Sequence, residues 1–271
     1  MAPNRLRFIP HVAGVKRIRK DSVLSLVVIS KDEQDRIGSC LASVPCATER
    51  IVVDSGSTDR TVEEARAAGA RVIQTDWPGY VNQKNRALSY ATQPWVLSLD
   101  ADERLDVQAA EELARSLDAT DGVRGFVFQR RSLWLGRPLR FGTWGRDRKI
   151  RVAERAFARW EGRDPHDTLV VDGKTRVLRG YILHDPYRTL REHLDTIDRY
   201  STLSAESLAA EGVRSSWWAM MIRPPFHFVQ AYLFRAGFLD GVAGLAVALL
   251  GALHVFLKWR RLSDVWRRAC A

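Results

Sequence analysis

Residues 97–105 read "LSLDADERL". An apolar run stops at a carboxylate, and three acids (Asp100, Asp102 and Glu103) fall within four positions. Like charges this close repel, and burying them is expensive, so something positive is expected beside them. The run itself, "PWVLSLD" (94–100), has the length and composition of a buried strand. Upstream, "VLSLVVIS" (23–30), "RIVVDSGS" (50–57) and "ARVIQT" (70–75) repeat that pattern. Between them "DEQDRIGSCLASV" (32–44), "STDRTVEEARAAG" (57–69) and "YVNQKNRALSYA" (80–91) carry helical spacing or helix-start and helix-stop signals. Strand–helix alternation with short links predicts a mostly parallel sheet with helices on both faces. Ligands of such sheets bind outside the carboxyl ends of the strands. At those ends stand Ser30 to Glu33, Asp54 to Ser57, and Asp100 to Asp102. The convergence of polar, mostly acidic residues on one edge is more specific than any one of these motifs.

Two carboxylates spaced i and i+2 after a strand can reach one hard divalent cation or its water shell. Mg²⁺ and Mn²⁺ prefer oxygen ligands and share them with substrate phosphates. D-x-D alone is weak, because surface turns carry it often. Behind a buried strand, with a further acid at Asp54, it is much stronger.

The 271 residues are 46% hydrophobic and 27% charged, an ordinary globular balance, with net charge +10. Such a charge favours polyanionic partners: nucleic acid, anionic lipid or phosphorylated substrates. No zinc module, RNA-recognition signature or basic recognition helix is visible, so nucleic acid is not the expected partner. Three cysteines outside any CxxC pattern argue against a disulfide framework and structural zinc. Residues 1–21 are basic without a long apolar core and are read as a surface arm. Residues 120–187 read as strands and turns, with a hairpin expected around Asp172-Gly173. Residues 189–212 form an amphipathic helix closed by Gly212. In the tail, 238–257 is apolar apart from Asp240 and His254, and basic residues flank it. It is read as a membrane-seated segment, interfacial or re-entrant rather than spanning, on an anionic leaflet.

The stretches "VVISKDEQDRIGSCLASV", "IVVDSGSTDRTVEEARAAGARV", "QKNRAL" and "WVLSLDADERL" resemble family 2 glycosyltransferases of the GT-A fold. Later stretches, among them "PHDTLVVDG" and "LHDPYRTLREHLDTIDRYSTLSA", resemble the branch of bacterial lipopolysaccharide core β-glucosyltransferases that act on an inner-core heptose. The resemblance implies an α/β, Rossmann-like, mostly parallel sheet flanked by helices, with a C-terminal helical appendage. It implies a basic arm (1–21), a catalytic domain (22–187, with a nucleotide-sugar half 22–105 and an acceptor half 106–187) and a membrane-associating region (188–271). It places Ser30 and Glu33 at the base pocket and Asp54 on the uracil. Lys84 would lie near base or phosphates, Asp100 on ribose or metal, and Asp102 on Mg²⁺ or Mn²⁺. Glu103 is expected to act at the start of the following helix.

Transfer with inversion needs one general base. The branch usually shows His-Glu where this chain has His166-Asp167, which makes Asp167 the candidate base with Asp164 as a rival. His166 and His184 fall on the acceptor side. Trp134, Trp144 and Trp160 are candidates for stacking on sugars, and the basic cluster 137–151 for acceptor phosphates. The resulting expectation is a metal-dependent hexosyltransferase on the cytoplasmic face of the bacterial inner membrane. It would take a UDP-sugar, UDP-glucose first, and a lipid-linked glycan. The alternatives are a polyprenyl-phosphate or other envelope glycosyltransferase, and a non-catalytic nucleotide-binding scaffold.

Overall fold

The computed structural model describes residues 24–118, 121–145, 147–164 and 166–269; the expected N-terminal arm, Arg146 and Cys270 lie outside them. The chain centres on β1 (Leu24–Ser30), which is buried at every position. It pairs in parallel with β2 (Glu49–Asp54) on one side and β4 (Trp95–Asp100) on the other. Alternate β1 residues serve two cores: Leu24, Leu26 and Val28 on one face, Val27 and Ile29 on the other. That is why the strand sequence is apolar throughout rather than alternating.

The connections are α1 (Ile37–Ala42), α2 (Thr61–Ala67) leading to β3 (Arg71–Gln74), and α3 (Tyr80–Tyr90). Helix α1 is shorter than the 32–44 pattern predicts. Asp32 has φ 55°, the left-handed region that Asp and Asn enter more readily than other side-chain-bearing residues, and so helix cannot start there. Its carboxylate accepts Thr58 N–H at 2.8 Å and its own N–H donates to Ser57 Oγ at 2.9 Å, locking the first loop to the second.

After β4 come β5 (Glu103–Leu105) and α4 (Val107–Leu117). The cap of α4 is Asp106, which accepts Ala109 N–H at 2.7 Å. Glu103 therefore does not serve that helix; it is a strand residue, 1% exposed. The second half adds β6 (Val123–Trp134), β7 (Arg137–Pro138), β8 (Asp147–Glu154), β9 (Ala158–Arg163), β10 (His166–Val171) and β11 (Lys174–His184). The main sheet runs β3-β2-β1-β4-β8-β6-β11-β5, with β7 beside β6. Strands β1 to β4 are parallel, and β8 enters antiparallel to both β4 and β6. The Asp172-Gly173 turn is present, with Gly173 at φ 153°, but it does not close a hairpin. Strand β10 pairs with β9 in a separate two-stranded sheet, while β11 joins the main sheet between β6 and β5. A turn pair specifies a reversal, not the partner of the strand that leaves it.

Three helices complete the chain: α5 (Leu190–Ala210), α6 (Trp217–Val229) and α7 (Gly241–Ala269). A π-helical turn (Gln230–Phe234), a left-handed Ala236 and a 3₁₀ turn (Gly237–Asp240) link α6 to α7. Asp240, the acid inside the apolar tail, accepts Arg140 N–H at 3.1 Å and Phe141 N–H at 2.9 Å. Its carboxylate docks the tail onto the loop between β7 and β8. The segment Gly237–Arg268 is long and apolar enough to cross a membrane by length and composition.

Candidate active site

The register of the parallel strands puts Ser30 beside Asp54, and Ile29 beside Asp100, so the three strand ends meet on one edge. Asp54, fully buried, accepts hydrogen bonds from Ser30 Oγ (3.1 Å), Gly56 N (3.1 Å), Ser57 N (2.9 Å) and Ser57 Oγ. A carboxylate offers about four acceptor positions, so this one is occupied by its own loop. Gln83 adds to the same wall by donating to Ser55 Oγ and Thr75 Oγ1, both at 2.9 Å.

The acids of the opening stretch are met by the chain's own cations. Lys84, 3% exposed, reaches Asp100 Oδ1 at 2.9 Å and Asp167 Oδ2 at 2.7 Å. Arg151 grips Glu103 through two nitrogens (3.0 and 2.8 Å) and touches Asp100 at 3.2 Å. Arg130 reaches Glu103 at 3.3 Å and binds Asp147 as well. Burial alone would raise the Glu103 carboxyl, but Arg151 and Arg130 outweigh it and bring it down to about 2. Asp100 is likewise held below its ordinary range: burial opposes, and Lys84 and Arg151 prevail. Trp160 forms the floor, its ring centroid 4.4 Å from Lys84 Nζ. Two hydrogen bonds of 2.9 Å between its backbone and the Asn85 amide tie it to α3.

Asp102 stands apart from this cluster. Its Oδ2 lies 3.3 Å from His184 Nε2 and 3.9 Å from Arg36 Nη1. Burial raises its carboxyl, and His184 more than offsets that, so it too sits low. His184, expected on the acceptor side, is thus placed against the expected metal ligand. Ser132 Oγ, 3.3 Å from His184 Nδ1, orients the ring. A carboxylate and an imidazole are both donors that a divalent cation takes, so Asp102 and His184, paired here at 3.3 Å, would hold it once the proton between them is released. Among the described residues no group of three or more His, Cys, Asp or Glu forms a fuller cage. Further ligands would have to be phosphate oxygens and water.

Glu33 faces Arg36, with Oε2 and Nε 3.1 Å apart but out of hydrogen-bond alignment, and burial pushes its carboxyl up to about 7. Arg36 also donates to Asp185 O at 2.8 Å and Glu192 at 2.7 Å, joining the first loop to α5. Asp167 lies in β10 opposite Gly162, its side chain 11% exposed. Asp164 instead accepts Val81 N–H at 3.2 Å, holding the start of α3. His166 opens β10; its side chain lies outside the described part of the structure.

Arg36, Arg130 and Tyr80 are site residues that sequence reasoning missed, and Arg151, expected with the basic cluster 137–151 to meet acceptor phosphates, instead answers Glu103 and Asp100. The one signal for Arg151 is a basic residue between Ile150 and Val152 in a β-branched strand, which has to bury its charge against an acid.

Carboxylates and basic side chains gathered at the carboxyl ends of parallel strands make an edge suited to a polar, charged ligand. The family model for glycosyl transferase family 2 matches residues 25–168, more than half of the chain. The chain belongs to that family; it is a glycosyltransferase, and its fold is of the GT-A type. It is 32% identical over 241 residues to the lipopolysaccharide core biosynthesis glycosyltransferase LpsC of Rhizobium meliloti, covering 86% of this chain and 89% of that protein. It is also 29% identical over 254 residues to a glycosyltransferase of Rickettsia prowazekii, covering 89% and 87%. Among solved structures it is similar to glucosyl-3-phosphoglycerate synthase from Mycobacterium tuberculosis, in complex with Mn²⁺, UDP-glucose and phosphoglyceric acid. That likeness has 26% identity over 41% of this chain and 43% of that one, with a TM-score of 0.33.

Proposed function

We propose that this glycosyltransferase moves a hexose from a UDP-sugar, UDP-glucose first, onto a lipid-linked glycan of the lipopolysaccharide inner core, with inversion and with Mg²⁺ or Mn²⁺. The observation that carries the reading is the Lys84 bridge. One ammonium holds Asp100, at a parallel-strand end, and Asp167, from the second half of the chain, within 2.9 Å. A donor-side acid and a candidate base therefore share one small volume.

The base of the nucleotide would lie against the loop organised by Asp54, near Ser30 and Glu33. Asp102 and His184 would hold the metal, which when bound neutralises charge on the leaving diphosphate. Lys84 would turn from Asp167 toward the incoming phosphates, freeing the Asp167 carboxylate. Asp167 then takes the proton of the acceptor hydroxyl, whose oxygen attacks the anomeric carbon as the bond to UDP breaks. Asp164 is engaged at the start of α3 and is the weaker candidate for the base.

The relative's role in lipopolysaccharide core biosynthesis supports the acceptor class. The membrane setting is supported by the tail. Trp217, Trp218, Met221, Ile222 and Phe226 of α6 are all exposed, as are Phe234, which is 79% exposed, and Val242, Leu245 and Leu249 of α7. So much contiguous apolar surface beside Arg and Lys suits an anionic leaflet such as the cytoplasmic face of the inner membrane. Seating in the plane is favoured over spanning, because Asp240 ties the start of this surface to the loop between β7 and β8.

The test is UDP release by purified protein with Mn²⁺ or Mg²⁺ across a panel of UDP-sugars, beside Asp102→Ala and Asp167→Ala. Metal-dependent release from one donor, lost in Asp102→Ala, is expected. Folded protein with lipid present that neither binds UDP nor turns over any donor would overturn the reading.

A further inference from the structure

A cavity of about 250 Å³ lies among the three C-terminal helices, the turn at Thr143–Trp144 and the loop at Tyr187. It is close to the roughly 300 Å³ at which small-molecule pockets begin, room for one ring rather than a chain of them. We propose that it binds a neutral sugar ring of the acceptor, next to the ring that receives the hexose. The inference rests on the transferase reading above and adds a site that the donor-side residues do not include.

Three observations place it. First, it adjoins the catalytic cluster. Tyr200 of its wall shares a hydrogen bond of 2.9 Å with Tyr80, and Tyr80 lies one turn before Lys84 on the same face of α3. Tyr187, another wall residue, follows His184 by three positions.

Second, its chemistry is that of a sugar site. One side is an aromatic corner: Tyr187 stacks on His193 at 3.9 Å, and Trp144 stands 6.0 Å and 5.9 Å from the two rings. Such rings offer apolar faces to sugar C–H groups and polar edges to hydroxyls. The opposite side carries Val247, Leu250, Gly251 and Val255 of α7 together with two further imidazoles, His254 of α7 and His227 of α6, the latter lowered by burial. Among the described residues no Asp, Glu, Lys or Arg lines it. That disfavours phosphorylated and carboxylated sugars, which would lose their hydration without a counter-charge. His193 is held neutral, lowered to about 4 by burial and then by His254. Trp134 Nε1–H donates to His193 Nδ1 at 3.1 Å, so the single ring proton sits on Nε2 and gives the cavity wall a defined hydrogen-bond donor.

Third, its outer wall is the membrane-facing helix. Leu245 and Leu249 of α7 are exposed outward while Val247, Leu250 and Gly251 line the cavity.

The experiment uses the full chain in lipid nanodiscs with UDP present, and Thr196→Trp, which fills the cavity, beside Trp144→Ala, which removes its aromatic corner. Saturation-transfer NMR is run with methyl glucoside, methyl mannoside, glucose 6-phosphate and octanoate. Saturation of a neutral methyl pyranoside, lost in Thr196→Trp and weakened about tenfold in Trp144→Ala, as expected from one stacking contact, supports the site. A signal unchanged in Thr196→Trp, or one confined to glucose 6-phosphate or octanoate, overturns it. Donor hydrolysis without acceptor, which should stay within about twofold in both variants, separates the two readings. If wild-type protein turns over no UDP-sugar, the transferase reading fails while the NMR result still decides the cavity.

Discussion

At Lys84 a single ammonium decides whether two carboxylates can sit together. Replacing it with Met leaves Asp100 and Asp167 facing each other with one fewer cation. Removing one partner from a buried ion pair is strongly destabilising, about 3 kcal/mol or more, and Lys84 is 3% exposed. Lys84→Met is therefore expected to lower the unfolding midpoint clearly and abolish turnover. The double variant Lys84→Met/Asp167→Asn should recover most of the stability and none of the activity, as read by thermal unfolding beside UDP release. Glu103 carries the matching pH prediction. Its carboxyl is at about 2 in the folded chain against 4.5 ordinarily. Its stabilisation is thus complete above about pH 5 and is lost as pH falls toward 2. The shift corresponds to about 3 kcal/mol, so the acid limb of a stability–pH curve should flatten in Glu103→Gln, whose neutral-pH stability falls instead. At this scale Asp54 and Asp100 were legible in the sequence because each ends an apolar run, while Asp167, preceded by Gly162–His166, was marked only by the family resemblance. The cations were not legible: Arg130 and Arg151 lie 27 and 48 positions from Glu103, and nothing local announces which strand will deliver them.

Among elements, legibility followed locality. Strands β1, β2 and β4 could be read because each is built on an apolar run, and β3, a short Val-Ile pair with exposed ends, because the helical crossover before it sets a parallel neighbour. The pairing of β9, β10 and β11 could not, because β11 is placed parallel to β6 and antiparallel to β5 by packing rather than by the Asp172-Gly173 turn, which leaves β9 and β10 as a separate pair. The α6–α7 pair makes a separate prediction. Its exposed apolar face would bury Leu and Phe side chains in lipid at about 1.5–3 kcal/mol each. Leu245→Glu with Leu249→Glu should weaken binding to vesicles containing anionic phospholipid by at least about a hundredfold. Acceptor-independent UDP release should survive, because neither side chain faces the sheet. Cosedimentation with vesicles checks the first outcome and a coupled UDP assay the second. Retained vesicle binding would mean that another surface seats the protein.

Over the whole molecule, the donor-side edge, the aromatic cavity and the apolar face form one series from sheet to helices. Arg36 ties the first loop to α5, and Asp240 ties the tail to the turn before β8. The tail is therefore built into the molecule rather than appended to it. That could not be read from a sequence in which Asp240 only interrupts an apolar run. The central claim is that the strand-end acids are divided into two sets. Asp100, Glu103 and Asp167 are answered by Lys84, Arg130 and Arg151, while Asp102 faces His184 and is the proposed metal ligand. The most direct measurement is the UDP dissociation constant by calorimetry with and without Mn²⁺, for wild type, Asp102→Ala and His184→Ala. Mn²⁺ should tighten UDP binding by at least about tenfold in wild type and leave both variants unchanged. Equal UDP affinity with and without Mn²⁺ in the wild type, or metal-tightened binding that survives both substitutions, would contradict the account.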